Sequence, residues 1–322
     1  MTGGWPVKGV VQHYAWGDTE FLPRLLGEVP DGRPWAELWL GTHPRGQAKL
    51  SDDRPLSDET GPLPYLLKVL TAAEPLSMQC HPDAARARSG YDEGVYGDPY
   101  PKPELILALT PFQALCGIRP PAATDELLSR IGASDFGDLL VERPLIEVIE
   151  GLYRRRIDSR PVIDAVLSSN DPEVAHIVDL EARYPGDPSV VVALLLNHVT
   201  LDPGQALHLT AGNLHAYLRG SGVELMGASD NVVRGGLTVK HVDVDELLRI
   251  IDPTPLEQPV MQVSNGRYPL PEAGVTLVRV DAGEVHLSTG HELAVALDGD
   301  TIYLPPGEAW RPDLAGYVVV VG

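Results

Sequence analysis

Apolar positions in the first 120 residues fall in short runs cut by Gly, Pro and Asp. Leu63–Leu70, Leu76–His81 and Leu105–Ile118 have the lengths and breaks of strands. The pattern changes over 121–189. Thr124, Asp125 and Glu126 open a helix-like stretch, and Ser159 precedes another with Pro161 in its first turn. Asp171, Pro172 and Glu173 open a third, with Val174, Ile177 and Val178 on one face, and Tyr184–Pro188 ends it. Strand-like patterning resumes at Val190 and runs to about Val242. Asp243–Ile251 reads as a short amphipathic helix, and short strands return from Pro259. The pattern predicts a β unit over 1–120, a helical insertion over 121–189, the rest of the first β unit over 190–252, and a second β unit over 253–322.

A repeated phrase sharpens this picture. Gly204, Thr210, Gly212 and His215 recur 95 residues later, at the same spacing, as Gly299, Pro305, Gly307 and Trp310. The spacing resembles the second motif of the cupin superfamily, in which a tight Gly-containing turn delivers a metal-binding His into a jelly-roll barrel. The fold expected is therefore mainly β: two cupin-like jelly-roll barrels with a small helical insertion. Trp310 in place of His leaves the second barrel without that ligand, so chemistry is expected in the first.

Composition fits and excludes. A chain of 322 residues with 32 Gly and 30 Pro suits a turn-rich β protein of two domains or a little more. The net charge of −20 argues against nucleic acid and anionic membranes as partners. It leaves room for a small anionic substrate held in a local basic pocket. The apolar runs Val190–Leu196 and Tyr317–Val321 are too short to span a bilayer. Cys80 and Cys116 form no CxxC pair, which points to a reducing, cytoplasmic setting.

Candidate metal ligands follow from strand alternation. With a side-chain period of two, Ser77, Gln79 and His81 share one face, and Met78 and Cys80 take the other. Pro103 keeps Lys102 and Glu104 extended and on one side. Gln79, His81, Glu104 and His215 then offer one carboxylate and two imidazoles, a set that suits Zn²⁺, with Fe²⁺ or Mn²⁺ as alternatives. Taken singly, each has a plainer explanation: a strand His with a satisfied hydrogen bond, or a Glu in a salt bridge. His208, an odd number of positions from His215, is expected to be structural.

Several longer segments carry a closer resemblance: Gln12–Gly17, Glu37–Pro44, Leu76–Asp83, Tyr96–Glu104 and Ala211–Val244. In these the chain resembles the type I phosphomannose isomerases. The resemblance implies a zinc ion on Gln79, His81, Glu104 and His215, one per chain, and a catalytic role for Arg234. It places Ser77, Lys102 and Lys240 along the sugar-phosphate pocket, with Tyr217, Glu224, Asp230 and the edge aromatic Trp16. It also implies a small sugar-phosphate substrate and a monomer or weak oligomer. Val239 stands where the family often has Pro, which leaves the backbone before Lys240 freer.

Aldose–ketose interconversion needs an electrophile for developing oxyanion charge, a base that carries a proton between adjacent carbons, and a cation on the distant phosphate. Metal and Arg234 fit the first, and Lys102 or Lys240 the third. Glu224 is the candidate base because burial raises a carboxyl pKa. Asp230 and a metal-bound water are its rivals. Two other functions compete: an iron-dependent cupin oxygenase, and a sugar-phosphate-binding cupin without turnover. The Gln at a fourth ligand position and the pocket lysines argue against the first. Retention of all four ligands argues against the second.

Overall fold

The computed structural model describes residues 3–322. The fold is mainly β, built around one long strand, His215–Gly227, at the centre of a ten-stranded sheet. The start of this strand pairs with Met78–Cys80 and Phe112–Ile118. Its second half pairs with Tyr65–Ala72 on one side and Glu104–Ala108 on the other. The register slips between Tyr217 and Arg219, and Gly220 follows with φ +125°. A Cβ at Gly220 would lie 2.7 Å from the Pro111 carbonyl oxygen, so glycine is what permits the corner. The bend lets a single strand bring both His215 and Glu224 to one interior cavity.

Alternation then sorts the neighbouring strands. Met78 and Cys80 are fully buried in a cluster with the helices, while Ser77 and Gln79 are half-buried and face the cavity. The regular strand here is Met78–Cys80, shorter than the run Leu76–His81 expected from sequence. Leu105–Ile118 divides into Glu104–Ala108 and Phe112–Ile118, broken at Pro111.

The helical segment holds six α-helices, from Pro121–Ile131 to Ser189–Leu194, and a 3₁₀ turn at Pro172–Val174. Pro121 sits at the first position of its helix, three residues before the predicted start. Asp171 accepts a hydrogen bond from the Glu173 amide and opens the 3₁₀ turn that leads into Ala175–Arg183. One expectation was wrong. Val190 does not begin a strand: Ser189–Leu194 is a fully buried helix, and the strand starts at Leu196. A short run that is apolar on every face has no period to read, and Asp187, bonding the Ser189 amide at 2.9 Å, decides for the helix. The short helix Ala84–Asp92, capped by Asp83, was also hidden among the strands of the first 120 residues. The amphipathic helix expected over Asp243–Ile251 is present as Val244–Ile250, with Asp243 as its cap.

A seven-stranded sheet forms the second β unit. It is not confined to 253–322. Trp5–Lys8 pairs with Thr301–Leu304, and Lys49–Leu50 pairs in turn with Trp5–Lys8. One apolar cluster joins the two units, with Leu38, Leu67 and Leu105 from one and Leu277, Leu293 and Val319 from the other. The two copies of the repeated phrase share backbone geometry: Gly204 and Gly212 at φ +90° and +78°, Gly299 and Gly307 at +95° and +83°. Trp310 is buried in the second unit among Val280, Ile302, Leu304 and Val318. Gly316 makes room for its indole, since a Cβ there would lie 2.6 Å from Trp310 Cη2.

The two turn glycines of the second copy should respond differently to alanine. At Gly307 the added methyl meets open space, so the cost is the left-handed conformation alone, about 1–2 kcal/mol. At Gly299 it would also lie 1.8 Å from the Leu25 carbonyl oxygen. Gly299→Ala is expected to lose roughly 1–3 kcal/mol more than Gly307→Ala in urea denaturation. Equal losses would show that the Leu25 contact is not maintained.

Candidate active site

His81, Glu104 and His215 converge, with one donor atom from each within 4.8 Å of the others. Both histidines approach the same carboxylate oxygen: His81 Nε2 lies 3.4 Å and His215 Nε2 3.3 Å from Glu104 Oε2. Their other ring nitrogens settle the tautomers. His81 Nδ1 is 2.9 Å from the Asn231 carbonyl oxygen and His215 Nδ1 is 2.9 Å from that of Asn213. A carbonyl only accepts, so Nδ1 carries the proton in each ring and Nε2 presents a lone pair. Burial drives the His81 pKa down to about 4, which keeps its ring neutral. Burial also works against the Glu104 charge. Lys102, 2.6 Å from Oε1, outweighs it and holds the carboxyl well below its usual range. Three electron-rich atoms thus face one another, and His81 Nε2 has no hydrogen-bond partner. A cation among them turns that repulsion into coordination. Gln79 stands opposite His215 in the strand register and lines the same cavity, in place to add a fourth donor. Two imidazoles, a carboxylate and an amide suit zinc.

Beside this cluster lies a row of charge inside the sheet. Trp39, Lys68 and Glu224 are direct register neighbours on three adjacent strands. Lys68 Nζ is 2.9 Å from Glu224 Oε2 and 3.6 Å from Glu37 Oε1, with all three side chains buried. Glu37 in turn accepts from Trp39 Nε1 at 2.7 Å. Burial opposes the Lys68 charge, but Glu224 and Glu37 prevail and its pKa is raised. The Glu224 pKa is raised as well, first by burial and then by Glu104 and Glu37, against the pull of Lys68. The buried hydroxyl of Tyr217 has no partner and lines the same cavity as Glu224.

The inner cavity is small, about 60 Å³. It shares Glu37, Lys68, Ser77, Gln79 and Lys102 with an outer cleft of about 620 Å³. Trp16, stacked on Tyr14, lines one part of that cleft, and Arg234 and Lys240 line another. Among the described residues neither cation has a carboxylate partner. Asp230 differs. Its carboxylate is exposed and engaged, 2.6 Å from Arg45 Nη2 and 3.3 Å from His43 Nε2, and these contacts lower its pKa.

Comparison with known proteins identifies the family. The family model for the phosphomannose isomerase type I catalytic domain matches residues 5–61 and 55–121. The mannose-6-phosphate isomerase of Escherichia coli (strain K12) is 32% identical over 359 residues, spanning 93% of this chain and 92% of that protein. The chain belongs to the type I phosphomannose isomerases. The human mannose-6-phosphate isomerase is 33% identical over 312 residues, covering 78% of this chain and 73% of its own. The fold matches the apo form of the mannose 6-phosphate isomerase from Salmonella typhimurium with a TM-score of 0.82 at 28% identity, covering 99% and 97% of the two chains. It matches a mannose 6-phosphate isomerase bound with zinc and yttrium at a TM-score of 0.81 and 28% identity, with the same coverage.

In this phosphomannose isomerase the residues singled out from sequence do come to one place. Gln79, Glu104, His215, Ser77, Lys102, Tyr217 and Glu224 line the inner cavity, and Trp16, Asp230, Arg234 and Lys240 line the cleft outside it. His81 joins through its contact with Glu104. Sequence reasoning missed Lys68, Glu37, Trp39 and Arg45. A signal existed for the first two: each is the lone charge in an otherwise apolar strand, Tyr65–Ala72 and Glu37–Leu40. Of the other histidines, His43 reaches the cleft through Asp230. His208 pairs with Glu272 at 3.1 Å, a structural contact. No helix among the described residues is long and apolar enough to cross a membrane.

Lys68→Met keeps the bulk of the side chain and removes the charge that separates Glu37 from Glu224. Breaking a buried pair from one side costs about 3–5 kcal/mol at neutral pH. The Glu224 pKa is already above its ordinary 4.5 in the folded state, so the folded chain binds this proton more readily than the unfolded one. Stability from this group therefore falls as pH rises past about 4.5, and more steeply without Lys68. The deficit of Lys68→Met should be smaller at about pH 5 than at about pH 7.5 in urea denaturation. A deficit independent of pH would show that the two carboxylates do not carry it.

Proposed function

We propose that the chain interconverts mannose 6-phosphate and fructose 6-phosphate with one bound zinc, moving a proton between adjacent carbons through an enediol. The observation that carries this is the convergence of His81, Glu104 and His215, with both imidazole lone pairs turned inward, at the floor of a cleft lined by unpaired cations. Zinc on Gln79, His81, Glu104 and His215 supplies a Lewis acid for a substrate oxygen. The inner cavity admits the reacting carbons alone, and the outer cleft takes the rest of the sugar phosphate. Arg234, free of carboxylate partners, adds positive charge where oxyanion charge develops. Lys240, exposed at the rim, and Ser77 take the phosphate, so that binding energy spent there orients the reacting end.

Glu224 is the proposed base. Its carboxylate is buried, its pKa is raised, and Lys68 donates to Oε2, stabilising the carboxylate whenever the proton has left it. Asp230 is a poorer base because Arg45 and His43 hold its pKa down. Lys102 keeps one Glu104 oxygen occupied and the carboxylate ionised, which leaves the other oxygen for the metal. Tyr217 can donate its unpartnered hydroxyl to substrate or to Glu224.

A coupled assay of mannose 6-phosphate to fructose 6-phosphate, before and after chelation and zinc return, tests the whole reading. Activity should vanish on chelation and come back with zinc. His215→Ala should lose both the ion and turnover while far-UV circular dichroism stays unchanged; full metal content in this variant would refute the ligand set. Oxygen uptake would point to the oxygenase alternative, and tight sugar-phosphate binding without turnover to a binding protein.

Lys240→Met separates anchoring from chemistry. Loss of one charged hydrogen bond is worth about 1.5–3 kcal/mol, so KM for mannose 6-phosphate should rise roughly 10- to 100-fold. Turnover of unphosphorylated mannose, however slow, should change little. Equal effects on both sugars would remove Lys240 from the phosphate site.

A further inference from the structure

Arg234 sits at a break in its strand. Val233–Gly236 pairs with Met78–Cys80, Arg234 stands opposite Gln79, and the register slips between Arg234 and Gly236. Such a bulge re-aims the side chain beside it. Among the described residues no carboxylate meets the Arg234 guanidinium, so its direction is set from the backbone end. That backbone is held by the helical segment. Tyr153, the last residue of the helix Leu145–Tyr153, donates its hydroxyl hydrogen to the Gly235 carbonyl oxygen. Ser189, the fully buried first residue of the helix Ser189–Leu194, accepts from the Leu237 amide through Oγ at 3.0 Å. Gly236, at φ +125°, packs so closely on Ser189 that a Cβ would lie 2.1 Å from the serine Cβ. Leu237 follows at φ +51°, an unusual conformation for a leucine, with its side chain buried in the helical core.

We propose that the helical insertion is a positioning device for the active site, in which Tyr153 and Ser189 fix the bulge that aims Arg234 and starts the loop to Lys240. Neither residue touches the cleft; each acts through the backbone on Arg234. Hydrogen bonds to the bulged residue itself, Gly235, and to Leu237 just beyond the bulge stop it from sliding along its partner strand, a freedom that would swing the guanidinium away from the reacting atoms. The Ser189 bond also ties Leu237, and so the root of the Thr238–Lys240 rim, to the insertion. This rests on the proposed role of Arg234.

The test is a double-mutant cycle on the full-length zinc-loaded enzyme with mannose 6-phosphate. Tyr153→Phe and Ser189→Ala should each lower kcat/KM about tenfold with zinc content unchanged. In an Arg234→Ala background each should change it less than about twofold, because the residue they position is gone. Ile177→Val, which loosens the helical core without touching either hydrogen bond, should leave kcat/KM at the parent value. Tyr153→Phe deletes one oxygen and carries the test alone if Ser189→Ala does not fold. Parent kcat/KM in Tyr153→Phe, equal losses with and without Arg234, or an equal loss in Ile177→Val would each overturn the proposal. Parent turnover in Arg234→Ala would overturn the role of Arg234 itself, and the proposal with it.

Discussion

Charge buried inside a sheet must be matched by charge, and this requirement organises the interior of the first β unit. Glu37, Glu104 and Glu224 face two ammonium groups, Lys68 and Lys102, in a space nearly closed to water. The balance is one negative charge, with two imidazoles turned toward it. An interior of that kind is costly unless a cation completes it. The His81–Glu104–His215 cluster and the ion-pair row are therefore parts of one electrostatic system. Lys102 holds Glu104 ionised toward the histidines. Lys68 opposes the burial that raises the Glu224 pKa. Altering either lysine shifts the proton affinity of the whole group.

The geometry that makes this possible is the corner in the strand His215–Gly227. Without the Gly220 bend, His215 and Glu224 would stand some thirty ångströms apart at about 3.4 Å per residue along a straight strand. With it, the strand forms two walls of one cavity, and alternation on Met78–Cys80 divides donors from core. The outward residues of those walls, Met78, Cys80, Ala216 and Val233, are the surface on which the helices pack. Site and insertion are thus opposite faces of the same short strands.

Sequence legibility followed how local each feature is. The repeated phrase could be read because its turn glycines act within a few residues of themselves, and both copies keep their left-handed conformations. The facing of Gln79 and His81 could be read because strand alternation is local too. The row Trp39–Lys68–Glu224 could not, since it exists only through registers among three strands remote in sequence. Ser189–Leu194 was misread for a different reason: total burial erases the polar positions that would reveal a helical period. The seven-stranded sheet recruits Trp5–Lys8 from the far end of the chain, which no composition boundary near residue 253 could disclose.

Trp310 has a consequence for how the second β unit can change. The backbone around it still has the turn that carries His215 in the first. His286, its register partner, stands where Gln79 stands opposite His215, and its Nε2 is already taken by Glu292 at 2.6 Å. Replacing the indole by an imidazole would open a cavity in a closed core, at a cost of several kcal/mol, before any ion could offset it. Gly316 has no side chain to fill the gap. Building a ligand set there requires several coordinated substitutions, because removing the indole alone opens a cavity. The tryptophan works as a lock: with the core filled, no single substitution opens a route to a ligand set.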